Sequence, residues 1–325
     1  MIDTALILAA GLGTRLAPLS SLRAKAALPV AGDALICRQI RWLAAAGITR
    51  VVVNLHHRPA TITAALGHGD DLGVAVGYSW ESAVLGSAGG PRRALDLIDR
   101  DRFLIVNGDT LTDLDLHALA AVHAGSGAMV TMAAVAARPG YNALRVADGV
   151  FAGVVAAATW PTAGPAGAHF IGVQVAERRA FADLPADVPA DTIRGLYPRL
   201  VDHQPGAVRV WTTTAAFHDV GTPAEYLRTV CHVAHAEGRP LDRGEGTTIA
   251  ASARVESSVC WDDVAIGDGA EVIGCVVGDG ALVPDGLHAR NACLLPAAAH
   301  AAQAGDRVIG DLVIVPFLGS GAAAG

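Results

Sequence analysis

Lysine is almost missing from this chain. Of its 24 basic residues, 23 are arginine and one, Lys25, is lysine. A composition that supplies guanidinium groups everywhere singles out the one place where a compact charge on a flexible stem is kept. Aromatic residues are also scarce, at 5% of a chain that is 52% hydrophobic, so the apolar content is mostly alanine, valine and leucine. That suits a packed α/β core and excludes disorder. No apolar run approaches the roughly 18 residues that a membrane-spanning helix needs, and no basic segment precedes an apolar one at the N-terminus. The expectation is a cytoplasmic protein without a membrane partner. The five cysteines, Cys37, Cys231, Cys260, Cys275 and Cys293, include no CxxC pair and are expected to be free, buried thiols. No block of basic residues exists and the net charge is −7, which excludes a nucleic acid held through its backbone.

What is present is alternation. Leu6 to Ala10 is a short apolar run that breaks into Gly11-Leu12-Gly13, a buried strand followed by a glycine loop. Leu35, Ile36, Gln39, Ile40 and Leu43 repeat at helical spacing up to Gly47. Further strands are expected at Ile48–Leu55, Val74–Tyr78 and Phe103–Val106, and helices at Pro59–Leu66 and Arg92–Ile98. This order predicts a mostly parallel, Rossmann-like mixed sheet flanked by helices. Ligands of such sheets sit beyond the carboxyl ends of the strands, where both the glycine loop and Asn107-Gly108-Asp109 would lie. From Ala128 strands dominate, broken by helices near 177–182 and 191–201, and a helix is expected over Ala224–Ala236.

After Gly238 the texture changes. Apolar residues recur about every six positions, at Ile249, Val255 and Trp261, then at Ile266 and Val272, then at Val277 and Val283, among small residues and two Gly-Asp-Gly triplets. Such a period predicts a β-solenoid of two or three coils. The expected division is a first domain over residues 1–240 and a short hexapeptide-repeat domain with its tail over 246–325, two domains being what about 100 to 200 residues per domain gives for 325 residues.

The glycine loop lacks the third glycine of a dinucleotide fingerprint, its place being taken by Leu16, and lacks the Gly-Lys-Ser/Thr of a P-loop. It remains a loop whose backbone can approach phosphates, with Arg15 inside it and Lys25 ten residues on. The run from Leu8 through Gly11-Leu12-Gly13-Thr14-Arg15 to Leu19, with Lys25 and Leu28-Pro29-Val30-Ala31-Gly32, resembles the signature of the sugar-1-phosphate nucleotidyltransferases. Leu85-Gly86-Ser87-Ala88-Gly89-Gly90, Asn107-Gly108-Asp109 and Asp219-Val220-Gly221-Thr222-Pro223 resemble further family blocks in family order. The hexad tail resembles the left-handed β-helix of many members, particularly those like mannose-1-phosphate guanylyltransferase.

The resemblance implies attack of a sugar-1-phosphate oxygen on the α-phosphorus of an NTP, with pyrophosphate leaving and Mg²⁺ as cofactor. Such chemistry asks a protein for alignment and charge neutralisation. By the same resemblance Arg15, Lys25 and Asp109 are the catalytic candidates, and Asp109 with Asp219 would hold Mg²⁺. Ala9, Gly11, Gly13, Thr14, Gly86 and Ser87 would bind the nucleotide. Glu81, Asn142, His169 and Arg194 are candidates for the sugar phosphate, with Arg145 as a further one. Read without the resemblance, Asp109 could begin a turn, Asp219 could cap the following helix, and His169 could be a structural histidine. His56, His57, His232 and His235 lack a third ligand at a spacing that suits zinc.

The chain also departs from the family. Pro-Lys-Pro is Ala24-Lys25-Ala26 here, Tyr-Gly is Tyr141-Asn142, and the Glu-Lys-Pro that supplies a lysine to the sugar phosphate has no match in Gly153 to Pro161. The leading expectation is GTP with mannose-1-phosphate or a related hexose or heptose phosphate. UTP- or dTTP-dependent transfer and a non-catalytic NDP-sugar-binding regulatory subunit are the alternatives, and homo-oligomers through the β-helix are a further expectation. Acyl transfer by the tail would need longer coils and a catalytic histidine, for which only His288 is at hand.

Overall fold

The computed structural model describes residues 2–137, 142–156, 167–239 and 241–317. The chain divides into two compact units, one holding the residues up to Leu12 with Ile36–His218, the other Gly13–Leu35 with the chain from Asp219 onward. The glycine-loop signature is therefore split after Leu12. Tyr141 and residues 157–161 of the segment that departs from the family lie outside the described residues.

The first unit is built on nine strands: β1 (Thr4–Leu8), β2 (Arg50–Leu55), β3 (Ala75–Trp80), β4 (Arg102–Asn107), β5 (Val130–Ala136), β6 (Ala143–Ala147), β7 (Val150–Val155), β8 (Ala168–Glu177) and β9 (Val208–Thr212). Their spatial order is β3-β2-β1-β4-β8-β5-β9-β7-β6. The first four are mutually parallel, as their unbroken apolar runs require, since such strands are covered on both faces. Strand β8 runs antiparallel to β4 and β5 and makes the second half mixed. Leu6, Val52, Phe103, Ile105, Val130 and Met132 form the core with Phe181 and Tyr197, all at most 1% exposed. Each such side chain contributes roughly 1.5–3 kcal/mol by its burial.

Helix α1 (Leu35–Ala45) and helix α2 (Pro59–Leu66) stand where the apolar spacing places them. The third differs from expectation: α3 covers Gly86–Ala94 rather than Arg92–Ile98. Its first turn contains residues with poor helix propensity, so a local reading misses it. Tertiary bonds supply what propensity does not, because the Ala190 carbonyl accepts from the amides of Ala88 (2.9 Å) and Gly89 (3.3 Å). Helix α4 (Leu116–Ala124) is capped by Asp115, whose side chain accepts from the amides of His117 and Ala118. That is the bond an N-cap aspartate makes.

The second unit carries helix α5 (Pro223–Ala236) and three parallel sheets. Residues 242, 259, 276 and 293 are in register, as are 248 and 265, and 254 and 271, so each circuit takes 17 residues. This sharpens the period of about six. The inward residues are Cys260, Ile266, Val272, Val277, Val283, Ala289 and Leu294, a recurrence of six, six and five. One side of each coil is shorter by a residue. Trp261, which the hexad spacing put inside, is displaced outward by that shorter side while Cys260 takes the interior place. A hairpin of Arg307–Ile309 and Leu312–Pro316 closes the tract, its second strand antiparallel to Ala292–Pro296. All five cysteines are free, and burial pushes the Cys260 thiol up to about 12 and that of Cys275 to about 11. Such thiols are inert packing groups at neutral pH. Among the described residues no helix is long and apolar enough to cross a membrane.

Candidate active site

The carboxyl ends of β1, β2 and β4 are level, with Leu8 opposite both Asn54 and Asn107. The Gly108 amide donates to the Leu8 carbonyl at 2.9 Å. From below, the buried Gln39 Nε2 donates to the carbonyls of Asn107 and Thr110, each at 2.8 Å. Asp109 therefore sits half-buried on a turn whose two flanks are tied to one side chain. Gln39 was legible only as a helix-face residue; its role depends on the turn that meets it.

A second network ties the glycine loop to the start of α3. The Ala9 amide donates to Asn54 Oδ1 at 2.6 Å, Asn54 Nδ2 donates to Glu81 Oε1 at 2.7 Å, and the Leu85 amide donates to Glu81 Oε2 at 2.9 Å. Glu81 is 6% exposed and both its oxygens are engaged, so that it fixes the spacing of two loops. Substituting Glu81→Gln replaces one acceptor by a donor facing a donor. The expected cost is about 1–3 kcal/mol of stability, read as a lower denaturation midpoint, and an unchanged midpoint would contradict the network.

Gly86 and Ser87 begin α3. The Ser87 hydroxyl accepts from the Thr192 amide at 2.8 Å, with Asp191 Oδ2 at 3.2 Å and Thr192 Oγ1 at 3.0 Å. Asp191 in turn accepts from the Arg194 amide at 2.7 Å and caps the helical turn Thr192–Leu196. Ser87 thus fastens the segment that presents Arg194.

Three of the residues assigned to the sugar phosphate do come together. Asn142, His169 and Arg194 line one cavity of about 280 Å³ with Leu144, Phe170 and Asp191. The His169 ring lies 5.3 Å from that of Phe217, tilted by 49°, and its Nδ1 stands 3.3 Å from the Asn142 carbonyl. Apolar walls with a guanidinium, an imidazole and an amide are what a phosphorylated sugar requires: ring contact on one side, hydrogen-bond donors on the other. Glu81 and Arg145 do not line this cavity.

The second unit carries the other half of the signature. Gly13 adopts a φ of +64°, and a Cβ there would stand 3.2 Å from Ser20 Cβ and 3.8 Å from Lys25 Cβ. The chain therefore folds back so that Lys25 returns to the glycine loop. Thr14 and Arg15 lie in the single 3₁₀ turn that follows, both exposed. The α5 cap is Thr222, whose hydroxyl accepts from the Glu225 amide at 3.2 Å. At Gly221 a Cβ would lie 3.2 Å from both Arg15 Nη1 and Asp219 Oδ2 and 2.6 Å from Glu225 Oε2. Glycine is needed there because a guanidinium and two carboxylates converge on its open side.

Asp109 and Asp219 are carboxylate donors of the hardness Mg²⁺ prefers, and among the described residues no group of three or more acidic, histidine or cysteine side chains gathers to cage an ion. Each is an oxygen donor of the class Mg²⁺ takes from proteins, commonly one or two carboxylates with substrate phosphates and water completing the shell.

Residues 4–142 match the nucleotidyl transferase family model. Over 304 residues the chain is 28% identical to a mannose-1-phosphate guanylyltransferase of Mycobacterium tuberculosis, covering 90% of this chain and 82% of that protein. It is 45% identical over 115 residues to an N-acetylmuramate alpha-1-phosphate uridylyltransferase of Neisseria meningitidis, a match that spans 35% of this chain and 50% of that one. The crystal structure of HddC from Yersinia pseudotuberculosis superposes with a TM-score of 0.59 at 23% identity, covering 70% of this chain and 98% of the other, a likeness of fold. Residues 4–142 thus carry a nucleotidyl transferase domain, and the similarity to a sugar-1-phosphate nucleotidyltransferase extends over most of the chain.

Proposed function

We propose that the protein transfers a nucleotidyl group from an NTP to a sugar-1-phosphate, giving an NDP-sugar and pyrophosphate, with GTP and mannose-1-phosphate or a related hexose or heptose phosphate as the leading pair. The observation that carries this reading is the convergence of Arg15 and Asp219 at Gly221, on the unit whose signature segment also holds the chain's single lysine. The reaction is a displacement at phosphorus. It asks for charge placed where the pentavalent centre and the leaving pyrophosphate develop it. Arg15 offers a planar fork to the NTP phosphates. Lys25 offers a point charge to the phosphates of donor and acceptor, drawing the two reactants into line. Asp109 and Asp219 would hold Mg²⁺, which supplies Lewis-acid polarisation of phosphoryl oxygens when bound. Ala9, Gly11, Gly13, Thr14 and Gly86 would border the nucleotide, on loops whose spacing Asn54 and Glu81 maintain.

Residues 1–240 would form the catalytic part and 246–325 a left-handed β-helix with its tail, in a cytoplasmic enzyme able to self-associate through that β-helix. Pyrophosphate release with Mg²⁺ across five NTPs and a panel of hexose-, amino sugar- and heptose-1-phosphates tests the reaction and names the pair. Productive UTP or dTTP would replace the guanylyl reading. Nucleotide-sugar binding with no turnover anywhere in the grid would instead support a regulatory subunit.

Because Lys25 is the sole lysine, the acceptor phosphate cannot be met by the second lysine the family pattern supplies. Arg194, with His169 and Asn142 in the 280 Å³ cavity, would take its place. Arg194→Ala is expected to raise the acceptor KM by about tenfold to a hundredfold, the worth of a charge-assisted hydrogen bond, while the KM for NTP stays within threefold. An unchanged acceptor KM would remove Arg194 from the site.

A further inference from the structure

Lys25 stands on a segment anchored on both sides to the solenoid and to α5. Two residues before it, Arg23 forms a two-pronged pair with Asp279, Nε to Oδ2 at 2.8 Å and Nη2 to Oδ1 at 2.6 Å. The same Nη2 donates to Asp262 Oδ2 at 2.6 Å. The guanidinium lies over the indole of Trp261, 5.4 Å from the ring centroid, and its side chain is 21% exposed. Asp262 and Asp279 occupy the same corner of successive coils, 17 residues apart, and are linked to each other because the Asp262 amide donates to Asp279 Oδ1 at 3.1 Å. Leu22 packs on Gly278, where a Cβ would stand 2.6 Å from its Cδ1. Four residues after Lys25, the Pro29 carbonyl accepts from the Tyr226 hydroxyl at 2.6 Å, which itself accepts from the Trp261 indole at 2.9 Å. The Ala31 amide donates to Asp242 Oδ2 at 2.7 Å.

We propose that Arg23 is a positioning residue for Lys25, so that the carboxylates Asp262 and Asp279 of the repeat tract set where the phosphate-binding ammonium stands. The argument is geometric. A lysine side chain has four rotatable bonds, and its reach is useful only if its Cα is fixed. The family's Pro-Lys-Pro would stiffen that backbone by ring closure, but Ala24 and Ala26 flank Lys25 here, and alanine restricts nothing comparable. The stiffness the sequence gives up on either side of the lysine is supplied by a partly buried fork-to-carboxylate pair, the geometry in which arginine holds a position most firmly. The β-helix of this chain is thereby part of the catalytic apparatus and not solely an assembly module. This inference rests on the reading of Lys25 as the phosphate-bridging group.

The test is a double-mutant cycle with a second, activity-independent reading. Arg23→Gln is expected to lower kcat by about tenfold to a hundredfold, the penalty of an ångström-scale displacement of a catalytic group, with KM for NTP changed less than threefold. Arg23→Lys, which keeps charge without the fork, should fall between. In a Lys25→Gln background the Arg23→Gln loss should disappear, because the two act through one contact. An Arg23→Gln loss that persists at full size without Lys25 would overturn the proposal, as would an Arg23→Gln variant with wild-type kcat. Should Arg23→Gln not fold, Asp262→Asn removes one of the three bonds at a site 44% exposed and is read the same way. Independently of turnover, modification of the single ε-amino group by pyridoxal phosphate and borohydride, followed at the Lys25 peptide by mass spectrometry, should change rate by at least threefold in Arg23→Gln. An unchanged labelling rate refutes the positioning role. A wild-type enzyme silent across the whole substrate grid, with labelling that still responds to Arg23, would instead refute the proposed reaction and leave the anchor standing.

Discussion

Replacing Lys25 with glutamine is expected to lower kcat/KM for NDP-sugar formation by about 10²–10³-fold while leaving the unfolding midpoint within 1 °C of wild type, about the limit of such a measurement. The size follows from the cost of removing one preorganised donor aimed at charge that grows in the transition state, about 2.7–4 kcal/mol. Compensation has little to draw on: the chain has no other lysine, and the arginine of the same segment that is nearest in sequence, Arg23, is committed to Asp262 and Asp279. Stability should be spared because Lys25 is only half-buried and glutamine retains the Cβ that stands over Gly13. Lys25→Arg is the sharper probe. Its guanidinium keeps the charge but is broader and planar, so recovery should be incomplete, within about tenfold of the glutamine variant. The measurement is initial-rate kinetics with each substrate varied against saturating partner. Activity of Lys25→Gln within threefold of wild type would remove the ammonium from the reaction and, with it, the basis for the Arg23 anchor.

Much of this architecture was readable one residue at a time. Strands β1 to β4 are legible because each is an apolar run with turn residues at its end, and Asp109 because its turn follows one of them. Pro223 announces a helix start by its own chemistry, whereas the cap is Thr222 and not Asp219. What escaped the sequence shares a physical cause: the deciding partner is distant along the chain. The start of α3 at Gly86 depends on the carbonyl of Ala190, which caps amides the local sequence leaves open. The partners of Glu81, Asn54 and Leu85, which hold both its oxygens, carry no mark in its local sequence. The coil of 17 residues was hidden because small residues fill the corners and nothing in their chemistry marks which side is short. Arg23 carries no local signal at all. It is one arginine among 23, and only the fold brings two aspartates and an indole to it.

Trp261 offers the largest expected loss of stability. Truncation to alanine should cost about 3–5 kcal/mol, the range for a fully buried large aromatic, seen in the unfolding transition that carries the second unit. The side chain is 0% exposed, although it points outward from its coil. It meets the ring of Tyr226 edge-on, with centroids 6.2 Å apart and planes at 82°, an arrangement that adds about 0.5–1.5 kcal/mol beyond buried area. Its loss would also strip one face from the Arg23 guanidinium and leave the Tyr226 hydroxyl without the indole donor. Trp261→Phe separates these contributions. It keeps most of the volume and the edge-on ring, gives up only the N–H, and should lose about 0.5–1.5 kcal/mol, the net worth of one hydrogen bond. Equilibrium denaturation of both variants checks the pair. If Trp261→Ala fell by less than about 1 kcal/mol, the indole would not be the joint between coil, α5 and the signature segment. If it falls by the full amount while the surviving folded fraction also turns over slowly, stability and catalysis converge on one anchor: the ring that packs the repeat tract is the ring on which the arginine two residues before Lys25 rests.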